Sequence, residues 1–287
     1  MKIGITGMSG FIGGSIADAL LREGHQVVSL DKHTSMYDVD INHNLNSMPS
    51  DLDWLLHFAA STSIEESFND PFSAYSNNLE STLVALKIAH QSRSPFLFMS
   101  SYVYGKPEYS PIDESHPLSS LNPYMGSKIV GEEICKQLCD MLKISLIILR
   151  GFNIYGNAII SGRLISDMLL AVKENRPLIL NDPTLRRDYL YIKDFEKLII
   201  KIISHEPVKT GTYNVGCGKS YSNLEVAEMF RKVARSDCEL IIKESPRLND
   251  APDCLADNNL VKETFSWEPT YSLEMGLCEL IDLKVQY

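Results

Sequence analysis

The sequence predicts an α/β protein built on a doubly wound parallel sheet, with a smaller C-terminal part. Two features predict it. Short apolar runs alternate with stretches of helical periodicity along the first half of the chain, from Lys2–Thr6 down to Ile144–Leu149. That alternation marks βαβ units, whose parallel strands are covered by helices on both faces. The first run also passes directly into GMSGFIGG and then a helical pattern, SIADALLREG. Gly7, Gly10 and Gly13 therefore fall in a turn between a strand and a helix. Glycines at that spacing allow a tight turn, close approach of a pyrophosphate and close helix–strand packing. The helix start, with Phe11, Ile12 and Gly13, adds amides and a partial positive charge.

The totals bound the rest. At 287 residues the chain is long enough for one large domain or two interlocked ones, and its 44% hydrophobic and 22% charged residues are ordinary for a globular protein. A net charge of −10 argues against nucleic acid as partner, because binding a phosphate backbone needs a basic surface. A local basic pocket for a small phosphorylated ligand is compatible with it. No apolar run reaches the length of a membrane span, and MKIGITGMSG lacks the apolar core of a signal peptide, so a cytoplasmic location with no membrane partner is expected. Cys135, Cys139, Cys217, Cys238, Cys254 and Cys278 are scattered and read as buried thiols rather than metal ligands.

Along the chain, Gly24 closes the first helix and HQVVSLD reads as a second strand with Asp31 at its carboxyl end. An acid there, about 20 residues beyond the glycines, accepts hydrogen bonds from the adenosine ribose and disfavours a 2′-phosphate. The pattern thus predicts NAD rather than NADP, although Lys32 and His33 follow directly. Asp40 and Ile41 would line the adenine. Trp54–Ala60 reads as a further buried strand, and its end, Phe58, Ala59 and Ala60, has small residues where a cofactor can pass close. His57 is expected to be a core histidine, since no acid neighbours it in sequence. Residues 72–92 form a long helical pattern containing Asn78. The run FLFMSSYVYG ends in two hydroxyls, Ser100 and Ser101, and a later helical pattern carries Tyr124 and Lys128. Residues at i and i+4 share one helix face, so phenol and ammonium are predicted side by side.

These residues resemble the extended short-chain dehydrogenase/reductases, particularly the NAD-dependent nucleotide-sugar epimerase/dehydratase family, and the match covers nearly the whole chain. TGMSGFIG is similar to the family's TGxxGFIG, HFAA to H(L/V)AA, YMGSK to YxxSK, and RGFNIYG to LRxFNxYG. RRDYLYIKD, TYNVGCGKSYS and SWEPTYSLEMGL resemble its later motifs. MSSYVYG resembles SSxxVYG with the double serine displaced one residue toward the valine. Counting back from Val103 puts the family's catalytic hydroxyl on Ser100.

The resemblance implies a Rossmann fold and assigns roles. Tyr124 becomes the acid/base, Lys128 lowers its pKa and holds the nicotinamide ribose, and Ser100 donates to the sugar oxygen. Asn78 belongs to the helix beneath the active site. Ser101, Asn153, Arg187 and Arg247 face the substrate, the arginines as bidentate donors to a diphosphate. Asp188 becomes a buried partner and Asp194 a helix N-cap. Ser101 and Tyr102 stand where the family's dehydratases carry Asp-Glu and its decarboxylases a Glu, so elimination and decarboxylation are disfavoured. The implied partner is a nucleotide-diphosphate sugar, the implied assembly a homodimer through two long helices, and the family's common setting surface-polysaccharide synthesis. The implied reaction is 4-epimerisation by transient oxidation at sugar C4. A one-way NAD(P)H-dependent reductase of a 4-keto-6-deoxysugar is the alternative, and a non-catalytic NAD(P)-sensing regulator is disfavoured by the intact Ser100, Tyr124 and Lys128. Residues 1–156 would hold the cofactor, with 187–215 returning to them, and 157–186 and 216–287 the substrate.

Overall fold

The computed structural model describes residues 1–31, 49–158, 160, 162–243 and 251–285; Asp40, Ile41 and Arg247 lie outside the described residues. In order, β1 (Lys2–Thr6), α1 (Phe11–Arg22), β2 (Gln26–Ser29), β3 (Trp54–His57), α2 (Ile64–Asn69), α3 (Pro71–Ser92), β4 (Phe96–Met99), α4 (Pro123–Leu142) and β5 (Leu146–Gly151) make up the first half. Then follow β6 (Asn153–Tyr155), α5 (Leu164–Lys173), β7 (Leu178–Asn181), β8 (Arg186–Tyr191), α6 (Ile192–Ile203) and β9 (Gly211–Val215). The chain closes with β10 (Ser220–Ser222), α7 (Asn223–Ala234), β11 (Leu240–Lys243), β12 (Asp253–Cys254), α8 (Asn259–Phe265) and α9 (Leu273–Val285).

The main sheet has the order β2-β1-β3-β4-β5-β9, and each adjacent pair is parallel. Strand alternation feeds two cores. Ile3, Ile5, Leu97 and Met99 face the helices α1 and α6, whereas Leu55, Phe96 and Phe98 face α3 and α4. The order reverses at β1, whose neighbours are β2 and β3. In an open parallel sheet that reversal opens a crevice at the strand carboxyl ends, where ligands bind. A second sheet joins β10, β8 and β12, with β6 also on β8, and β7 pairs with β11.

The two long helices begin where their sequences stop them. Asp70 caps α3, its side chain accepting from the Ser73 amide at 3.0 Å, and Pro71 supplies the first helical residue. Asn122 caps α4 in the same way, accepting from the Met125 amide at 2.9 Å ahead of Pro123. This cap puts Tyr124 in the first turn of α4, over the sheet's carboxyl edge.

Three expectations need correction. The third strand stops at His57 instead of running to Ala60. The glycine turn crosses there so closely that a Cβ at Gly7 would lie 2.6 Å from the Ala59 nitrogen. Asp194 is not an N-cap, because α6 starts at Ile192. Instead its carboxylate is buried and accepts from the Thr270 and Tyr271 amides, both at 2.8 Å, and from the Thr270 hydroxyl at 2.7 Å. Trp267 donates to the Asp194 carbonyl at 3.0 Å, so the closing SWEPTY stretch is riveted to α6. The cysteines are not uniformly buried: Cys135, Cys139 and Cys254 are, Cys217 and Cys238 are half-buried, and Cys278 is exposed, with all six free thiols.

Removing the Asp194 carboxylate leaves the Thr270 and Tyr271 amides without their acceptor. Asp194→Ala is therefore expected to destabilise the fold by about 3 kcal/mol in urea unfolding. A loss below about 0.5 kcal/mol, the usual range of surface substitutions, would show that the clamp contributes nothing.

Candidate active site

The cofactor end is built from the turn after β1. Gly7 has φ +75°, a conformation that side-chain-bearing residues rarely adopt. A Cβ on Gly13 would lie 2.1 Å from the Gly7 carbonyl oxygen, so α1 approaches the turn as only glycine permits. The N-cap of α1 is Gly10, with no side-chain cap. The first-turn amides of Phe11, Ile12 and Gly13 thus have neither a capping side chain nor acceptors within the helix, which suits an anionic pyrophosphate. Asp31 sits beside this turn and accepts from the amides of Gly7, Met8 (3.2 Å) and Ser9 (2.7 Å). The carboxylate shapes the turn as well as marking the end of β2. These residues fit a dinucleotide.

Ala59 and Ala60 follow β3 across the crevice. Asn78 does not reach into it: its amide is spent on fastening this loop. Its Oδ1 accepts from the Ser61 amide at 2.7 Å, and its Nδ2 donates to the Ser61 carbonyl at 3.2 Å and to the Ser127 hydroxyl at 2.8 Å. Asn78 thereby ties the cofactor-side loop to α4. His57 is a core histidine, bridging Thr6 and Thr82 at 2.7 and 3.2 Å, and burial, aided by the Lys128 charge, pulls it down to about 3. It is neutral at physiological pH.

Tyr124 and Lys128 are both buried on one face of α4. Burial pushes the Tyr124 phenol up, while the neighbouring Ser101 side chain and the charge of Arg163 pull it down. Burial brings the Lys128 ammonium down to about 8. It donates to the Met99 carbonyl at 2.9 Å and lies 4.9 Å from the Phe98 ring centre. Lys128 thus anchors to the end of β4, while Ser101 and Arg163 favour the phenolate of Tyr124.

Ser100 is not turned toward Tyr124. Its hydroxyl is buried and donates to Glu132 Oε1 at 2.6 Å. Glu132 is gripped by Arg150, whose Nη2 lies 2.7 Å from Oε2 and Nε 3.0 Å from Oε1. Arg150 Nη1 donates to the Tyr104 hydroxyl at 3.0 Å, and Tyr104 donates onward to Asn214. The sequence reading missed this pair, although both halves carried a signal. Glu132 stands four residues beyond Lys128, and Arg150 opens the RGFNIYG motif. Arg163, beside Tyr124 at the start of α5, had no such signal.

On the substrate side, Asn153 opens β6 opposite Tyr189 of β8. Arg187 Nη1 donates to the carbonyls of Arg186 and Ala251 at 2.7 and 2.8 Å, which fixes its position against the chain's C-terminal segment. Asp188 is fully buried and accepts from the amides of Cys217 (2.6 Å), Gly218 (2.9 Å) and Ala256 (3.3 Å). Burial still raises it to about 6. It is a structural partner, as its motif implied. Among the described residues, no three or more His, Cys, Asp or Glu side chains are grouped so as to hold a metal, and no helix is long and apolar enough to cross a membrane.

A glycine turn with a carboxylate beside it, at the reversal of a parallel sheet, and a buried Tyr–Lys pair one helix away define a dinucleotide-dependent site of the short-chain dehydrogenase/reductase type. The chain belongs to the NAD dependent epimerase/dehydratase family, whose model matches residues 3–216, and it is an enzyme of that family with NAD as cofactor. It is 29% identical to the UDP-glucose 4-epimerase of Bacillus subtilis, over 96% of this chain and 94% of that one. The structure of UDP-glucose 4-epimerase from Bifidobacterium longum in complex with NAD+ and UDP superposes with a TM-score of 0.87 at 26% identity, covering 100% of this chain and 98% of the other. A UDP-glucuronic acid 4-epimerase from Bacillus cereus, solved with a fluorinated UDP-sugar and NAD, gives 0.91 at 25% identity, with 100% of each chain covered.

The buried ammonium makes a pH-dependent cost. The folded-state value of about 8 lies below the 10.5 of an exposed lysine, so the folded protein loses this proton first on raising the pH. The penalty is present below pH 8 and disappears as the pH climbs toward 10.5. Lys128→Met is therefore expected to be more stable than the parent by about 2 kcal/mol at pH 7, with the advantage gone near pH 10.5, read by urea unfolding at both values. An advantage of the same size at both would show that the buried charge is not its source.

Proposed function

We propose that the chain is a nucleotide-sugar 4-epimerase with Tyr124 as its acid/base. The observation that carries this reading is the convergence of Tyr124 and Lys128 on one buried face of α4 at the carboxyl edge of the sheet, beside the glycine turn. The relatives are named as 4-epimerases of UDP-sugars, which favours a UDP-hexose as substrate. The phenolate of Tyr124 takes the proton from the sugar O4, and the phenol returns it after the other face of C4 is presented. NAD supplies the hydride acceptor and donor at C4. Lys128 holds its charge in the floor of the site, where it favours the phenolate and can bond a ribose hydroxyl. A seryl hydroxyl at the end of β4 orients the sugar oxygen. Most of the rate enhancement lies in orientation and in fixed electrostatics. Neither position 101 nor 102 carries a carboxylate, so no acid stands ready for elimination.

We further assign the turn amides and Asp31 to the cofactor, Asn153 and Arg187 to the sugar diphosphate, and residues 157–186 and 216–287 to the substrate part. Residues 192–215 rejoin the cofactor part, since α6 packs on α1 and β9 pairs with β5. We set that boundary at 192 and not 187, because β8 pairs in the second sheet. We assign the outer face of α3 and α4 to a homodimer contact: Leu83, Val130 and Met141 are exposed there. Light scattering is expected to give twice the chain mass at micromolar concentration; a monomer would reject the contact.

Tyr124→Phe is expected to lower turnover of UDP-glucose at least 1,000-fold while NAD affinity stays within a few-fold. The parent is expected to interconvert the 4-epimers with no net NADH consumption. Stoichiometric oxidation of NADH with a 4-keto-6-deoxysugar nucleotide would instead establish the reductase.

A further inference from the structure

We infer that Ser101, and not Ser100, is the hydroxyl that serves Tyr124 and the sugar oxygen, and that Ser100 belongs to the buried Glu132–Arg150 network. The inference rests on the proposed role of Tyr124 and refines it.

A serine hydroxyl has one hydrogen to give. That of Ser100 is given to Glu132 at 2.6 Å, in a position almost closed to solvent. The acceptor is a carboxylate, so the bond is charge-assisted and short. The carboxylate cannot follow Ser100 elsewhere, because Arg150 grips both of its oxygens. Nor can the backbone turn. The Ser100 amide donates to the Leu149 carbonyl at 2.8 Å, and the preceding carbonyl, that of Met99, is taken by Lys128. The Met99–Ser100 peptide group is thus held at both its N–H and its C=O in the continuation of the sheet. In an extended segment successive side chains point to opposite sides. With Ser100 turned inward to the helix–strand interface, Ser101 is turned outward to the crevice. It is half-buried there, and its side chain pulls the Tyr124 phenol down against burial.

The displaced double serine acquires a reason. A count from Val103 selects Ser100, but the count assumes that every residue between the serines and the valine is retained. The order of side-chain directions selects Ser101. The chain keeps one inward serine for Glu132 and one outward serine for Tyr124, and shortens the link to Val103.

Tyr124 titrates among Ser101, Arg163 and Lys128, with Glu132 and His57 behind Lys128. Labelling the enzyme with 13Cζ-tyrosine and assigning Tyr124 from the signal missing in Tyr124→Phe gives its titration directly. In the NAD-loaded enzyme, Ser101→Ala is expected to move that titration about one pH unit upward. It is also expected to cut the turnover of UDP-glucose about 100-fold with NAD affinity retained. Ser101→Thr, which restores a hydroxyl, should recover most of both. Ser100→Ala is expected to lower the thermal midpoint while leaving the Tyr124 titration in place. A Tyr124 signal that moves in Ser100→Ala and stays in Ser101→Ala overturns the assignment. If Ser100→Ala does not fold, an unmoved signal in Ser101→Ala overturns it alone. If UDP-glucose is not turned over by the parent, the proposed substrate is at fault, and the titration still decides between the serines.

Discussion

The buried ion pair between Glu132 and Arg150 is the constraint on which the site depends. Glu132 sits on α4, four residues from Lys128, and Arg150 on β5, so the pair fixes the height of α4 above the sheet. Through Ser100 it also sets the end of β4, and through Tyr104 and Asn214 it reaches β9. Four of the elements that frame the catalytic face therefore share one network. A buried pair of this kind contributes little net stability against apolar residues of the same shape, yet losing one partner costs about 3–5 kcal/mol. Its value here is positional. It removes the freedom by which α4 could slide and carry Tyr124 away from the crevice.

Above that frame, burial disfavours the charged forms of the reactive groups. The phenolate of Tyr124 and the ammonium of Lys128 are each opposed by desolvation. Each is also the natural electrostatic complement of the other, and both are supported by polar neighbours: Ser101 and Arg163 for the first, the Met99 carbonyl for the second. Such a site is costly to the fold and useful to the chemistry, since the dipoles need no rearrangement as charge moves. The C-terminal third is fastened elsewhere. Asp188 collects three amides from the segments after β9 and β12, and Asp194 collects two from the segment before α9. These two carboxylates stitch the C-terminal third onto the sheet without entering the chemistry.

Much of the fold and of the site was legible in the residues. The βαβ rhythm, the glycine turn, and the placement of Tyr124 with Lys128 follow from local rules: side-chain period, glycine's backbone freedom and i,i+4 spacing. Asp188 was expected as a buried partner and is one, whereas the shaping of the turn by Asp31, expected only as a ribose acceptor, was not foreseen. Asp194 was misplaced because an acid near a helix start usually caps it. Only the packing of Trp267 and Thr270 against α6 shows that its carboxylate is needed further along the chain.

The sequence by itself thus determined which elements form, which families of ligand the turn can hold, and which phenol and amine share a helix face. The tertiary structure decided how the polar groups divide their bonds. Ser100 and Ser101 are chemically the same and adjacent, and in an extended segment one step of register exchanges their directions. That register is set by the Leu149 carbonyl on β5 and by a carboxylate on α4, both distant in sequence. No local pattern carries it, so the choice between the two hydroxyls exists only once the sheet and α4 are assembled.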